Sequence, residues 1–173
     1  MADATYLYYM KRLALAITLY LFLTNVRADE PAGIQFFTGS WQQALAEAKR
    51  QNKPLFVDVY ANWCPPCRRM AREAFPSAKV GVKYNTRFIN YRIDAELGAG
   101  VDLARSYAVT SYPTLLYVAP NGELVQRSVG YGGINALLTL ADMALAIPKL
   151  RRYLAKATRA NADSLRREAK RTR

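Results

Sequence analysis

Histidine is absent from all 173 residues, and cysteine occurs only twice, at Cys64 and Cys67. These shortages remove much of the usual protein chemistry. A zinc site takes about four ligands, and one cysteine pair without histidine does not supply them. The c-type haem signature fails because Arg68 stands where it needs histidine. Catalytic Ser-His and Cys-His pairs are excluded on the same ground. No metal and no cofactor is expected.

Long apolar runs are also missing. The run at residues 13–23 has 11 residues, whereas a helix that spans a bilayer takes about 20 at about 1.5 Å per residue. Lys11 and Arg12 precede it, and Val26-Arg27-Ala28 follows as a cleavage site. Residues 1–28 therefore read as a cleaved export signal, which implies a periplasmic or secreted protein. The apolar flank at residues 6–10 leaves an uncleaved membrane anchor as the alternative. No cysteine follows the run for a lipid anchor.

Acidic residues are scarce, and the formal charge is +12. The excess is unevenly spread. Residues 29–148 hold twelve basic and ten acidic side chains, whereas residues 149–173 hold ten and two. The body is nearly neutral and nucleic acid is not an expected partner; any electrostatic partner belongs to the tail.

What is present divides into an export segment (1–28), one domain (34–147) and a basic helical tail (148–173). Ser40 caps a helix whose apolar positions Trp41, Ala44, Leu45 and Ala48 recur at helical spacing. Residues 55–60 are an apolar run broken only by Asp58, as in a central strand covered on both faces. From Cys67, the positions Met70, Ala71, Ala74 and Phe75 trace one helical stripe opposite Arg68, Arg69, Arg72 and Glu73. Helices are expected at 77–85 and 101–107, and strands at 87–93, 115–118 and 124–129. Asn121-Gly122 marks a tight hairpin between the last two strands. Ile134, Leu137, Leu138, Ala141 and Leu145 form a closing helix, which Pro148 ends. Beyond it, Leu150, Tyr153, Leu154 and Ala157 form one apolar edge on a helix rich in Lys and Arg.

Trp63-Cys64-Pro65-Pro66-Cys67 carries the chemistry. Two cysteines three apart at a helix start bring their α-carbons within disulfide range. A helix N-terminus favours a thiolate, so Cys64, at the exposed end, is the expected nucleophile. Cys67, on the buried stripe, is suited to resolve a mixed disulfide. Pro65 and Pro66 are tolerated because the first helical turn leaves its N–H groups unpaired. Arg68 and Arg69 either add positive charge to the sulfurs or form a solvated face. Asp58, buried in its strand, is expected to have a raised pKa and to accept the proton of Cys67; the competing reading is a structural carboxyl paired with a cation.

With these residues in view, the chain resembles the thioredoxin-like superfamily over residues 41–145, particularly exported bacterial thiol-disulfide oxidoreductases with a Trp-Cys-Pro-Pro-Cys motif. Phe56-Val57-Asp58-Val59-Tyr60-Ala61-Asn62-Trp63 is similar to the family's strand with its buried acid. Val109-Thr110-Ser111-Tyr112-Pro113-Thr114 is similar to its cis-proline loop, and Asn121-Gly122 with Gly130 to its last hairpin. The resemblance implies an α/β thioredoxin-like fold with a central mixed sheet and helices on both faces. It implies a redox-active disulfide between Cys64 and Cys67, a cis bond at Pro113, and a substrate surface formed by Trp63, Tyr112 and Pro113. Trp63 and Tyr112 are equally compatible with ordinary core. Two departures stand out. Arg72 replaces a helix-kinking proline, which implies a straighter helix, and Asn90 replaces the lysine near the buried acid, which puts the proton relay through Asp58 in question.

The resulting expectation is an enzyme that exchanges disulfides with exported proteins, reducing rather than oxidising them, and fed by a membrane-bound electron donor. The alternative is a binding or holding module in which the redox step is secondary. Residues 149–173 are expected either to make weak contact with anionic lipid or to be solvated.

Overall fold

The computed structural model describes residues 8, 11–13 and 32–171. The chain divides into two compact units, Met1–Glu30 and Pro31–Arg173. In the first, residues 8 and 11–13 are helical; the expected cleavage site at 26–28 lies outside the described residues.

The second unit is built on a four-stranded sheet. Along the chain come α1 (Trp41–Gln51), β1 (Leu55–Tyr60), α2 (Pro65–Glu73), α3 (Ala78–Arg87), β2 (Ile89–Asp94) and α4 (Ala99–Ser106). β3 (Thr114–Val118), β4 (Leu124–Val129), α5 (Ile134–Ala146) and α6 (Pro148–Arg171) complete it. The strand order is β2-β1-β3-β4, with β1 parallel to β2 and the other two pairings antiparallel. α2 takes both prolines into its first turn, and α3 runs through Arg87, so β2 begins two residues later than the sequence pattern suggests.

Alternation along β1 sorts the core into two layers, because successive strand side chains point to opposite faces. Leu55, Val57 and Val59 pack with Ala44 and Ala48 of α1 and Leu103 of α4. Phe56 packs on the other face with Met70 of α2, Tyr84 of α3 and Leu137 of α5. Each such apolar side chain contributes roughly 1.5–3 kcal/mol on burial. On the second face the two buried tyrosine hydroxyls satisfy each other: Tyr84 donates to the Leu137 carbonyl at 2.8 Å, which leaves Tyr117 to donate to Tyr84 at 2.7 Å. This chain of bonds ties α3, β3 and α5 into one layer.

Local signals set the ends of α1. Ser40 and Gln43 form a reciprocal capping box, and Asn52 closes the helix in the left-handed conformation at φ 50°. α6 begins at Pro148 and is held by Leu150, which is 1% exposed. Its apolar edge at Leu150, Tyr153, Leu154 and Ala157 is the side that is wholly or partly buried, whereas residues 159–171 are all exposed. Among the described residues no helix is long and apolar enough to cross a membrane.

Candidate active site

The chain leaves β1 at Tyr60, turns through Ala61, Asn62 and Trp63, and enters α2 with Cys64 as the N-cap. Cys64 and Cys67 are joined as a disulfide with their α-carbons 5.3 Å apart. The Cys67 amide donates to Cys64 Sγ at 3.2 Å. An N-cap side chain ordinarily draws on the N–H groups of the second and third helical residues. Here the first and second helical residues are Pro65 and Pro66, which have none, and the Arg68 amide is taken by the Cys64 carbonyl at 3.2 Å. Cys67 therefore supplies the only first-turn amide that reaches the Cys64 sulfur.

One expectation needs correction. Cys64 is not on an exposed end: it is 2% exposed and Cys67 1%. Ala61, Tyr60 and Tyr112 pack around the disulfide-bonded pair. Exposure does not separate the two cysteines in this oxidised state; position does. Cys64 caps the helix, whereas Cys67 lies within it, on the same stripe as Met70.

Trp63 is 62% exposed, so it is not core. Its indole N–H donates to both carboxylate oxygens of Glu96 at 3.1 and 3.0 Å, and its ring meets the half-buried Tyr112 edge-on at 6.0 Å. Glu96 was not anticipated from the sequence. It lies in the turn after β2, where Asp94 accepts both the Glu96 amide at 2.9 Å and the Asn62 side-chain amide at 2.6 Å. Arg68 donates to the Asn62 carbonyl at 3.0 Å, while Arg69 pairs with Glu73 along the exposed face of α2. The turn carrying Trp63 is thus held from both sides. The Tyr112–Pro113 bond is cis. Pro113 is buried, and its carbonyl accepts from Gly130 at 2.8 Å, which fastens this loop to the end of β4.

Asp58 points to the sheet face covered by α2, the helix that carries Cys67. It is fully buried, and its pKa is raised from 3.8 to about 6 because burial penalises the carboxylate more than the adjacent Arg92 favours it. Arg92 lies directly opposite Asp58 in the β1–β2 register and donates from Nε to Oδ2 at 2.8 Å. Oδ1 has no hydrogen-bond partner among the described residues. The Arg92 guanidinium also stacks 3.9 Å from the centre of the Tyr60 ring, and Tyr60 in turn packs on the cysteines. Asn90, at the place of the family's lysine, donates instead to the Gln35 carbonyl and to Asn85. The cation that serves the buried acid stands two residues further along β2, on the same face. Arg92 thus supplies a cation beside the buried acid where Asn90 does not, and Asp58 is a buried carboxyl with a raised pKa that is paired with that cation.

Comparison with known proteins agrees with this geometry. A family model described as a thioredoxin-like domain matches residues 41–144. "Thioredoxin H4" of Arabidopsis thaliana is 33% identical over 90 residues, which cover 52% of this chain and 71% of that protein. "Thiol:disulfide interchange protein DsbD 2" of Pseudomonas aeruginosa is 31% identical over 80 residues, 46% of this chain but only 14% of the relative's length. Among solved structures, a putative disulphide-isomerase from Bacteroides thetaiotaomicron is 37% identical with a TM-score of 0.60, covering 66% of this chain and 95% of that one. The chain belongs to the thioredoxin-like domain family, in which its Cys64–Cys67 pair makes it a thiol-disulfide oxidoreductase.

Proposed function

We propose that the protein works as a reductant of exported protein disulfides, in the periplasm or outside the cell, and is itself recharged by a membrane-bound dithiol donor. In the reduced form the Cys64 thiolate attacks one sulfur of a substrate disulfide, forming a mixed disulfide and expelling a substrate thiolate. Cys67 then loses its proton to Asp58 and attacks Cys64 Sγ. The second substrate thiolate leaves, and the Cys64–Cys67 disulfide forms. Two electrons pass to the substrate, and its two thiolates are protonated, one at the expense of Asp58 and the other from the solvent, which had taken the Cys64 proton. Trp63 and Tyr112 form the surface against which the extended substrate lies, with the buried Pro113 fixing the loop that carries Tyr112.

The observation that carries the direction is the single amide at Cys64 Sγ. Each N–H donor aimed at a thiolate stabilises the dithiol form, and a stabilised dithiol makes a better oxidant. With prolines at the first two helical positions, that stabilisation is held to one donor, which favours the disulfide and hence electron release. The match to part of an interchange protein supports both an exported setting and a membrane-bound donor. The deciding measurement is redox equilibration with glutathione followed by tryptophan fluorescence. A midpoint below about −220 mV is expected. A midpoint near about −120 mV, the range of strong oxidants, rejects the reductive reading. Retention of biological activity by the Cys64→Ser, Cys67→Ser double variant would favour a binding role instead.

A further inference from the structure

α6 is fixed to one end of the sheet. Lys149 pairs with Glu123 of the β3–β4 hairpin, and the Asn52 side chain donates to the Leu154 carbonyl at 3.0 Å and to Thr158 Oγ1 at 2.8 Å. Asn52 lies just before β1 begins, and Glu123 just before β4 begins. The disulfide follows the other end of β1, and Pro113 precedes β3, which runs antiparallel to β1. The sulfurs and α6 therefore occupy opposite poles, separated by about the length of a six-residue strand, roughly 20 Å at about 3.3 Å per residue.

The α6 pole is chemically distinctive. Residues 159–171 are exposed and carry five basic side chains against Asp163 and Glu168. A groove of about 900 Å³ between α3 and α5 reaches the same pole, where Arg151 of α6 lines it. Its floor includes Val82, Leu138 and Leu145, and its rim Lys79, Arg87 and Arg151. Lys83 is engaged by Asp142 at 2.6 Å, whereas the other three rim cations have no ion pair among the described residues. An apolar floor under a cationic rim matches an amphiphile with an anionic head, and the volume falls in the range of small-molecule sites, about 300–1,000 Å³. A purely acidic surface would use the cations and leave the floor uncovered.

We propose that this pole docks on anionic phospholipid: the exposed cations of α6 gather the headgroups, the α3–α5 groove takes one acyl chain with its phosphate between Arg87 and Arg151, and the disulfide faces away from the bilayer. The apolar edge at residues 150–157 is not the lipid contact, because it is turned to the domain. The docked orientation leaves the pole that carries the disulfide turned toward substrates in solution. This inference does not depend on the direction of electron flow.

The test uses the full chain with vesicles of neutral phosphatidylcholine and with vesicles containing about one-third phosphatidylglycerol. Binding to neutral vesicles registers any contribution of the N-terminal segment. Anionic lipid is expected to raise binding at least about tenfold at low salt, with most of that gain lost at about 0.5 M salt, where the Debye length falls below about 5 Å. Arg166→Gln with Arg167→Gln and Lys170→Gln, and separately Arg87→Glu with Arg151→Glu, should each remove most of the gain while disulfide exchange in solution is unchanged. Brominated anionic lipid should leave Trp63 emission, read in a Trp41→Phe background, unquenched. No gain with anionic lipid, an equal gain in either variant set, quenching of Trp63, or binding to DNA but to no vesicle would each overturn the proposal.

Discussion

Replacing Asp58 with asparagine should make the oxidised protein more stable at neutral pH and a slower enzyme. Asp58 is fully buried, with one oxygen bonded by Arg92 and the other without a partner among the described residues, and its pKa is about 6 against an ordinary 3.8. Between these values the native state holds a proton that the unfolded chain has released. Stability therefore falls as pH rises through the window from about 4 to 6, and the loss is complete above it. At about 1.4 kcal/mol per pH unit, that interval is worth about 3 kcal/mol. Asparagine does not ionise and keeps an oxygen for Arg92, but it puts an amide NH2 where the bare oxygen was, which costs about 1–2 kcal/mol when unsatisfied. The variant should gain about 1–2 kcal/mol over the wild type at pH 7 and lose about as much at pH 4, so the two stability curves cross. Urea unfolding of both oxidised proteins at pH 4, 5, 6 and 7 measures this, and the difference between them cancels the other carboxylates. At pH 7 turnover should fall about tenfold or more, with the mixed disulfide accumulating because Cys67 has lost its proton acceptor. A stability difference that does not change with pH would refute the burial argument. An unchanged turnover would refute the relay.

Two further outcomes follow from the same geometry. Arg92→Gln removes the charge that lowers the Asp58 pKa, so the inflection in the pH–rate profile should move upward from about 6, by one or more pH units given an effective interaction of about 4 kcal/mol at 4 Å; a downward move or none contradicts the pairing. Pro66→Ala restores a second amide toward Cys64 Sγ. At about 1.5 kcal/mol for a bond to a charged acceptor, the Cys64 pKa should fall by about one unit and the midpoint potential should rise by about 30 mV, read from thiolate absorbance and glutathione equilibration. An unchanged or lower potential would show that the prolines do not limit donation to the sulfur.

The elements with strong local signals were legible from residue order. Ser40 and Gln43 define the start of α1 because both halves of a capping box lie within one turn. The period of Cys67, Met70 and Ala74 assigns the inward stripe of α2, and the alternation of β1 assigns its two faces. The same period misjudged Cys64. A helical wheel says which way a side chain starts, not that Tyr60 and Tyr112, from other parts of the chain, will pack over its sulfur. The tail shows a similar limit: its apolar edge was visible, but that Asn52 and Glu123 hold α6 against the domain was not, because those contacts join residues about 102 and 26 apart.

By itself, the sequence determined that the chemistry is that of one cysteine pair at a helix start, with a buried carboxyl six residues earlier. That is local information, set by residue type and periodicity. Only the tertiary structure decided which cation meets that carboxyl, since strand register, not sequence spacing, sets Arg92 opposite Asp58 and sends Asn90 to the Gln35 carbonyl. The tertiary structure alone also placed Glu96 against Trp63 across 33 positions, and set the basic helix and the disulfide at opposite ends of the sheet. Each of these follows from how strands pair and helices dock, which no single stretch of the chain encodes.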